Sequence, residues 1–397
     1  MQRVYLDHAA TTPMDPEVLA VMTPYFTEFY GNPSSVYSLA AKSRAAIEKA
    51  RGQVAAALNA LPEEIFFTGS GTEADNWALK GVLEKQRSKG NHIITTQIEH
   101  HAILHTGEYL EKLEGGTVTY LPVDEEGFIR LEDLKAAITD KTILVSVMFA
   151  NNEIGTIQPI RAIGELCRER KILFHTDAVQ AAAQVDIDVN ALFIDLMSMS
   201  AHKMYGPKGT GALYMRKGLR LENFVHGGGQ EKGKRASTEN VAGIVGMGFA
   251  MEKMKASLPQ EKQRLTGLRD RLIEGVLKAI PHARLNGARG DSRLPNNTNF
   301  SFIGIEGETL LLDMDAKGIC GSTGSACTSG SLDPSHVLMA LGLPHELAHG
   351  SLRLSLGHST TDEQVDYVLE VLPKIVAHRR EMSPLWEDYL KKIGEKK

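Results

Sequence analysis

Leu192-Phe193-Ile194-Asp195-Leu196-Met197-Ser198-Met199-Ser200 runs apolar and then stops at Ala201-His202-Lys203. Ile172-Leu173-Phe174-His175-Thr176 runs apolar and stops at Asp177, with Gln180 three residues later. Apolar runs of this length, bounded by polar or small residues, read as strands buried on both faces. Each one delivers a chemically capable side chain just past its end. Open α/β sheets place their ligands at the carboxyl ends of strands, so Lys203 and Asp177 sit where a site is expected.

Further runs of the same kind cover Ile65 to Thr68, His92 to Thr96, Thr117 to Val123, Thr142 to Phe149 and Gly211 to Met215. Between them, Glu73 to Lys89 and Ile160 to Arg170 repeat apolar residues at helical spacing. Strand–helix alternation predicts βαβ units, hence an α/β fold with a mostly parallel sheet. From Asn240 to Ala279 the pattern is helical and long; short strands at Thr298 to Phe302 and Leu352 to Leu356 follow. The expected division is a large domain over 15–255 and a smaller α+β domain made of 1–14 and 256–397.

At 397 residues the chain has room for two domains. A net charge of -5, with no basic block, argues against a nucleic-acid partner. No apolar run approaches the ~18 residues of a membrane span. Asp7 interrupts the apolar start, so no signal peptide is expected. The cysteines, Cys167, Cys320 and Cys327, are too few and odd in number for a disulfide framework, and a reducing cytoplasmic setting is expected.

A lysine that forms a Schiff base with pyridoxal 5'-phosphate, and an acid paired with the ring nitrogen, need the Lys203–Asp177 pair. The alternative for Lys203 is a surface lysine before the turn at Tyr205-Gly206-Pro207, which leaves Asp177 unexplained. Thr68-Gly69-Ser70-Gly71-Thr72-Glu73 joins a strand to a helix through small residues, and free N–H groups with the helix dipole favour a phosphate there. An ordinary turn with Thr72 as N-cap is the alternative. Ser200 and His202 offer further donors to a phosphate. His100, after the strand at His92 to Thr96, offers a flat ring to stack on a pyridine and to relay protons near neutral pH. A metal reading of His100, His101 and His105 lacks an acid or cysteine at ligand spacing. Gly324-Ser325-Ala326-Cys327-Thr328-Ser329-Gly330 puts a cysteine in a small-residue loop, whereas a structural cysteine normally sits in an apolar run. Such a thiol can ionise and attack. Cys167, by contrast, reads as core and Cys320 as structural. Arg353, in an alternating strand-like run, suits a bidentate carboxylate contact or a structural ion pair.

Taken together these segments resemble the cysteine desulfurases of the NifS/IscS type, over nearly the whole chain. The resemblance rests on Tyr5-Leu6-Asp7, Ala10-Thr11-Thr12, Gly31-Asn32-Pro33-Ser34-Ser35, Asn151-Asn152-Glu153-Ile154-Gly155, His175-Thr176-Asp177-Ala178-Val179-Gln180, Ser200-Ala201-His202-Lys203 and the Cys327 loop. Gly330-Ser331-Leu332-Asp333-Pro334-Ser335-His336 looks closer to the nitrogen-fixation branch. The resemblance implies an aspartate-aminotransferase-like fold (fold type I) with a seven-stranded sheet. It implies pyridoxal phosphate on Lys203, with Asp177 at the ring nitrogen and Asn152 and Gln180 near the phenolic oxygen. His100 would stack and relay protons; Gly71, Thr72, Ser200, Ala201 and His202 would form the phosphate side. Thr238 would reach the phosphate of a neighbouring subunit, which implies a homodimer. Arg353, with Asn152, would hold the substrate carboxylate. L-cysteine would give L-alanine and a persulfide on Cys327, passed to a sulfur-acceptor or iron–sulfur scaffold protein. No permanent metal is implied; Cys327 would be at most a transient iron–sulfur ligand shared with the scaffold.

Ser237 departs from the family's usual glycine, and a positive φ there would strain it. Tyr37 and Ala40 replace a common histidine and glycine. Rival readings are an aminotransferase or lyase on the same fold, a selenocysteine lyase, and a non-catalytic scaffold, for which Lys203 would have no use.

Overall fold

The computed structural model describes residues 3–323 and 334–394. Its centre is a seven-stranded sheet of β2 (Ile65–Thr68), β3 (His92–Thr96), β4 (Thr117–Leu121), β5 (Thr142–Ser146), β6 (Leu173–Asp177), β7 (Leu196–Ser200) and β8 (Gly211–Met215), in the order β2-β8-β7-β6-β5-β3-β4. Only β8 runs against the rest. The carboxyl ends of the others therefore share one edge. Every residue of β2, β3, β5, β7 and β8 is buried. Both faces are covered by helices, which is why these strands read as continuous rather than alternating runs.

Several boundaries differ from the sequence expectation; β5, for one, ends at Ser146 rather than Phe149. Phe193 has a left-handed backbone (φ 56°) and closes a turn, so β7 starts at Leu196 rather than at Phe193. Asp195 instead caps the neighbouring strand, its carboxylate accepting from the Phe174 N–H at 2.9 Å. β4 stops at Leu121, where Pro122 can no longer donate to the ladder. Asp177 is the last residue of β6 and not the first beyond it.

A second core gathers Val4 and Leu6 with residues from Leu265 to Val376. It holds two small sheets. In one, β1 (Val4–Tyr5) pairs with β11 (Ile319–Cys320); in the other, β10 (Asn297–Phe302) lies between β9 (Ala283–Leu285) and β12 (Ser351–Ser355). The long helix Val241–Ala279 packs against both cores. Its Pro259 lies inside the helix. Among the described residues no helix is long and apolar enough to cross a membrane.

Candidate active site

A cavity of about 350 Å³ opens at the carboxyl edge of the sheet. Gly71, Thr72, His100, Asn152, Asp177, Gln180, Ser200, His202, Lys203 and Arg353 line it, along with Ala9, Ala10, Asp75 and Val179. Ten of the positions singled out in the sequence thus converge from across the chain. Ala201 does not line it: it is wholly buried, and its carbonyl accepts from the Met204 and Gly206 N–H groups, so it shapes the turn that carries Lys203. Thr238 is exposed and lies outside the lining. Cys327 lies outside the described residues.

β7 ends at Ser200 and passes into a tight turn, Ala201–Lys203. There the Lys203 ammonium donates to the carbonyls of Ala9 at 2.6 Å and Ala10 at 2.7 Å. Gln180 also donates to the Ala9 carbonyl, at 2.9 Å, and a ring nitrogen of His202 meets the Thr11 hydroxyl at 3.1 Å. The segment from Asp7 to Thr12 is therefore a wall of the site made largely of backbone. The sequence reading gave it no chemical role, because carbonyls carry no residue-type signal.

Asp177 accepts from the Val179 N–H at 2.9 Å, which fixes one oxygen. Burial pushes its pKa up to about 6, against the pull of Val179 and of the Lys203 charge. Ser70, rather than Thr72, caps the helix Gly71–Gln86, accepting from the Glu73 N–H at 3.1 Å. Thr72 lines the cavity from the first helical turn. At Gly71 a Cβ would stand 2.7 Å from Val179 Cγ2, so only glycine lets the backbone come this close. Arg235 pairs with Glu73 at 2.7 Å and ties the segment carrying Ser237 and Thr238 to this turn. Ser237 does have a positive φ, 106°, the strain that its replacement of glycine implied.

His100 is the N-cap of helix His101–Leu113, its Nδ1 accepting from the Ala102 N–H at 3.1 Å. That fixes the neutral tautomer with hydrogen on Nε2. Burial, reinforced by Lys203, lowers its pKa to about 4, so the ring is neutral at pH 7 and not poised at its titration midpoint. The His101 ring packs at a tilt against His105 and His336, with centroids 4.8 and 4.7 Å away, but among the described residues no group of three potential ligands could hold a metal.

Arg353 is buried on β12, where it donates to Asp7 Oδ1 at 2.9 Å and to the Asn152 carbonyl at 3.2 Å. Its Nε has no partner. The described chain reaches Thr323 and resumes at Pro334. Ser322 exchanges backbone hydrogen bonds with Arg353, and the Ser335 hydroxyl donates to Glu153, beside Asn152. Both described ends of the segment containing Cys327 are thus fastened next to Arg353 and Asn152. Glu153 is buried, and burial pushes its pKa up to about 7. Cys167 is core, as expected, with its thiol pushed up to about 12 by burial; Cys320 is half-buried.

A glycine cradle at a helix N-terminus, a buried acid at one strand end and an amine at the next fit pyridoxal phosphate: phosphate, ring nitrogen and aldehyde each meet a complementary group. This fold and site define a pyridoxal-phosphate enzyme of fold type I. The aminotransferase class-V family model matches residues 4–368. A cysteine desulfurase IscS of Clostridium botulinum is 66% identical over 396 residues, with 100% of both chains covered. A solved structure titled as a NifS-like protein superposes with a TM-score of 0.89 at 40% identity, covering 95% of this chain and 100% of that one. Another, titled SspA in complex with cysteine, has a TM-score of 0.79 at 37% identity over 89% of this chain and 99% of that one. The chain belongs to the class-V aminotransferases and, among them, to the cysteine desulfurases.

Proposed function

We propose that the chain takes sulfur from L-cysteine, releases L-alanine, and carries the sulfur as a persulfide on Cys327 to an acceptor or iron–sulfur scaffold protein. The observation that carries this reading is one cavity lined by Lys203, Asp177 and Arg353, with Ser322 bonded to Arg353 and Ser335 to Glu153, the described residues on either side of Cys327. Bound pyridoxal phosphate supplies an electron sink for the bond-breaking at the substrate's Cα. The chain's own residues do the rest. Gly71, Thr72, Ser200 and His202 would hold the phosphate, and Asp177 would hold the ring nitrogen's proton. Asn152 and Gln180 would serve the phenolic oxygen. His100 would stack on the ring and offer its Nε2 hydrogen. Arg353 takes the substrate carboxylate, trading part of its pairing with Asp7. Lys203 Nζ, held at the Ala9 and Ala10 carbonyls, would move the substrate's Cα proton. The Cys327 thiolate then attacks the substrate sulfur: an S–S bond forms, the C–S bond breaks, and the electron pair leaves with the three-carbon product. Thr238, exposed here, would serve the neighbouring subunit of a homodimer. A cytoplasmic setting suits a working thiol.

The test is mass spectrometry after brief exposure to L-cysteine. Wild type gains one sulfur atom on Cys327; Cys327→Ala gains none and loses turnover. Full alanine release by Cys327→Ala would remove the persulfide route. Transfer of an amino group to 2-oxoglutarate would favour the aminotransferase alternative.

A further inference from the structure

Beneath Asp177 lies a buried acid that the proposed chemistry does not use. Asp75, one turn into helix Gly71–Gln86, is 1% exposed and lines the same cavity. Its Oδ1 has no hydrogen-bond partner, and His175 Nε2 stands 3.7 Å away. His175 and Asp177 are two residues apart on β6 and so share one face of the sheet. The His175 ring bridges the Ser146 hydroxyl on β5 at 2.8 Å and the Ser198 hydroxyl on β7 at 3.0 Å. Ser198 stands opposite Asp177 in the β6–β7 register. A polar ladder thus crosses three strands under the cofactor floor, and Asp75 caps it.

A bare carboxylate there would leave one oxygen dry, without a donor, beside a second buried acid, an arrangement that costs several kcal/mol. A carboxylic acid avoids that cost. The titratable groups facing Asp75 all agree. Burial, then Asp177, raise the pKa of Asp75 well above normal against the opposing hydrogen bond from Ser198, and Glu99 adds to the rise. Glu99 is itself pushed up to about 8 by burial, and His175 is held neutral, lowered by burial to about 3.

We propose that Asp75 is a positioning residue for the cofactor ring: a neutral carboxyl group that braces Asp177 through the His175–Ser198 ladder and leaves Asp177 the one charged acid at the ring nitrogen. This rests on the proposed pyridoxal-phosphate site, and its test begins on the cofactor-free protein so that the two can fail separately.

An acid whose folded pKa exceeds its unfolded value makes the fold lose stability as pH rises between the two. Asp75→Asn removes that loss. The melting temperature of cofactor-free Asp75→Asn should therefore gain on wild type by roughly 1–2 °C per pH unit between about pH 5 and 8. A constant difference over that range would overturn the proposal. In the loaded protein, Asp75→Asn keeps the charge of a neutral acid, so the pH midpoint of the cofactor's visible absorption should stay within about 0.3 unit. Asp75→Ala, which breaks the ladder, should shift it. A midpoint in Asp75→Asn displaced by about a unit, as loss of a nearby charge would give, also overturns the proposal. Wild type that takes up no pyridoxal phosphate would sink the site reading instead.

Discussion

Asp177 and Lys203, on the floor of the cavity, are set by neighbouring strands of one sheet, β6 and β7. Arg353 and the Ala9 and Ala10 carbonyls, on its wall, are brought in from opposite ends of the chain; the Arg353–Asp7 bond joins residues 346 apart. In the floor, Asp177 is buried at the end of β6, and Lys203 is half-buried in the turn after β7. The wall is held by the ion pair of buried Arg353 with half-buried Asp7 and by backbone carbonyls that accept from the floor's own lysine. The difference suits a division of labour under the proposed function, in which the floor would set the chemistry and the wall what is bound, with Lys203 touching both.

Removing Lys203 is the most severe way to break the comparison. Lys203→Ala should cut L-alanine formation from L-cysteine by about 10³-fold or more, the scale of a lost proton-transfer group combined with lost cofactor attachment. Borohydride should no longer fix the cofactor to the chain. The cofactor-free variant should also melt earlier, since the Ala9 and Ala10 carbonyls lose a charged donor worth ~1–3 kcal/mol. Unchanged melting would mean that the wall stands without the floor.

Much of the floor could be read in advance because its residue types are diagnostic. An amine and an acid at strand ends, a glycine turn before a helix and a histidine after a strand each announce a chemistry. The strands themselves were legible because burial on both faces leaves long apolar runs: β2, β3 and β8 begin and end where those runs do. The wall was not legible in the same way. Asp7 and Ala9 act through one long-range ion pair and one carbonyl, neither of which has a local pattern. Asp75 was hidden differently: an acid one turn into a helix normally faces solvent, so its burial near Asp177 has no sequence mark. Thr72 suited the alternative of a plain capped turn because threonine is a good cap, but Ser70, two residues earlier, takes the Glu73 N–H instead.

A gentler change sharpens the wall's role alone. Arg353→Lys keeps the charge but loses the planar fork. KM for L-cysteine should rise roughly tenfold, about 1.4 kcal/mol of binding, with kcat within about threefold. That split marks lost ground-state binding. A fall in kcat with KM unchanged would place Arg353 in the chemistry rather than in the grip on the carboxylate.

The smallest effect belongs to a segment outside floor and wall. Ser237 holds φ at 106° on an exposed segment tied to the Ser70–Gly71 turn by Arg235 and Glu73. A positive φ costs a residue with a Cβ ~1–2 kcal/mol, and glycine gives back ~0.5–1 kcal/mol in unfolded-state entropy, so Ser237→Gly should stabilise by about 0.5–1 kcal/mol. The Ser237 N–H would still donate to Gln230, at 3.2 Å in the serine protein, because glycine keeps its amide. Thermal melting should rise by about 1–2 °C, with cofactor affinity within about twofold. A fall in melting temperature would show instead that the serine hydroxyl makes a favourable contact in the assembled protein. That would shift attention from backbone strain to the neighbouring subunit that Thr238 is proposed to serve.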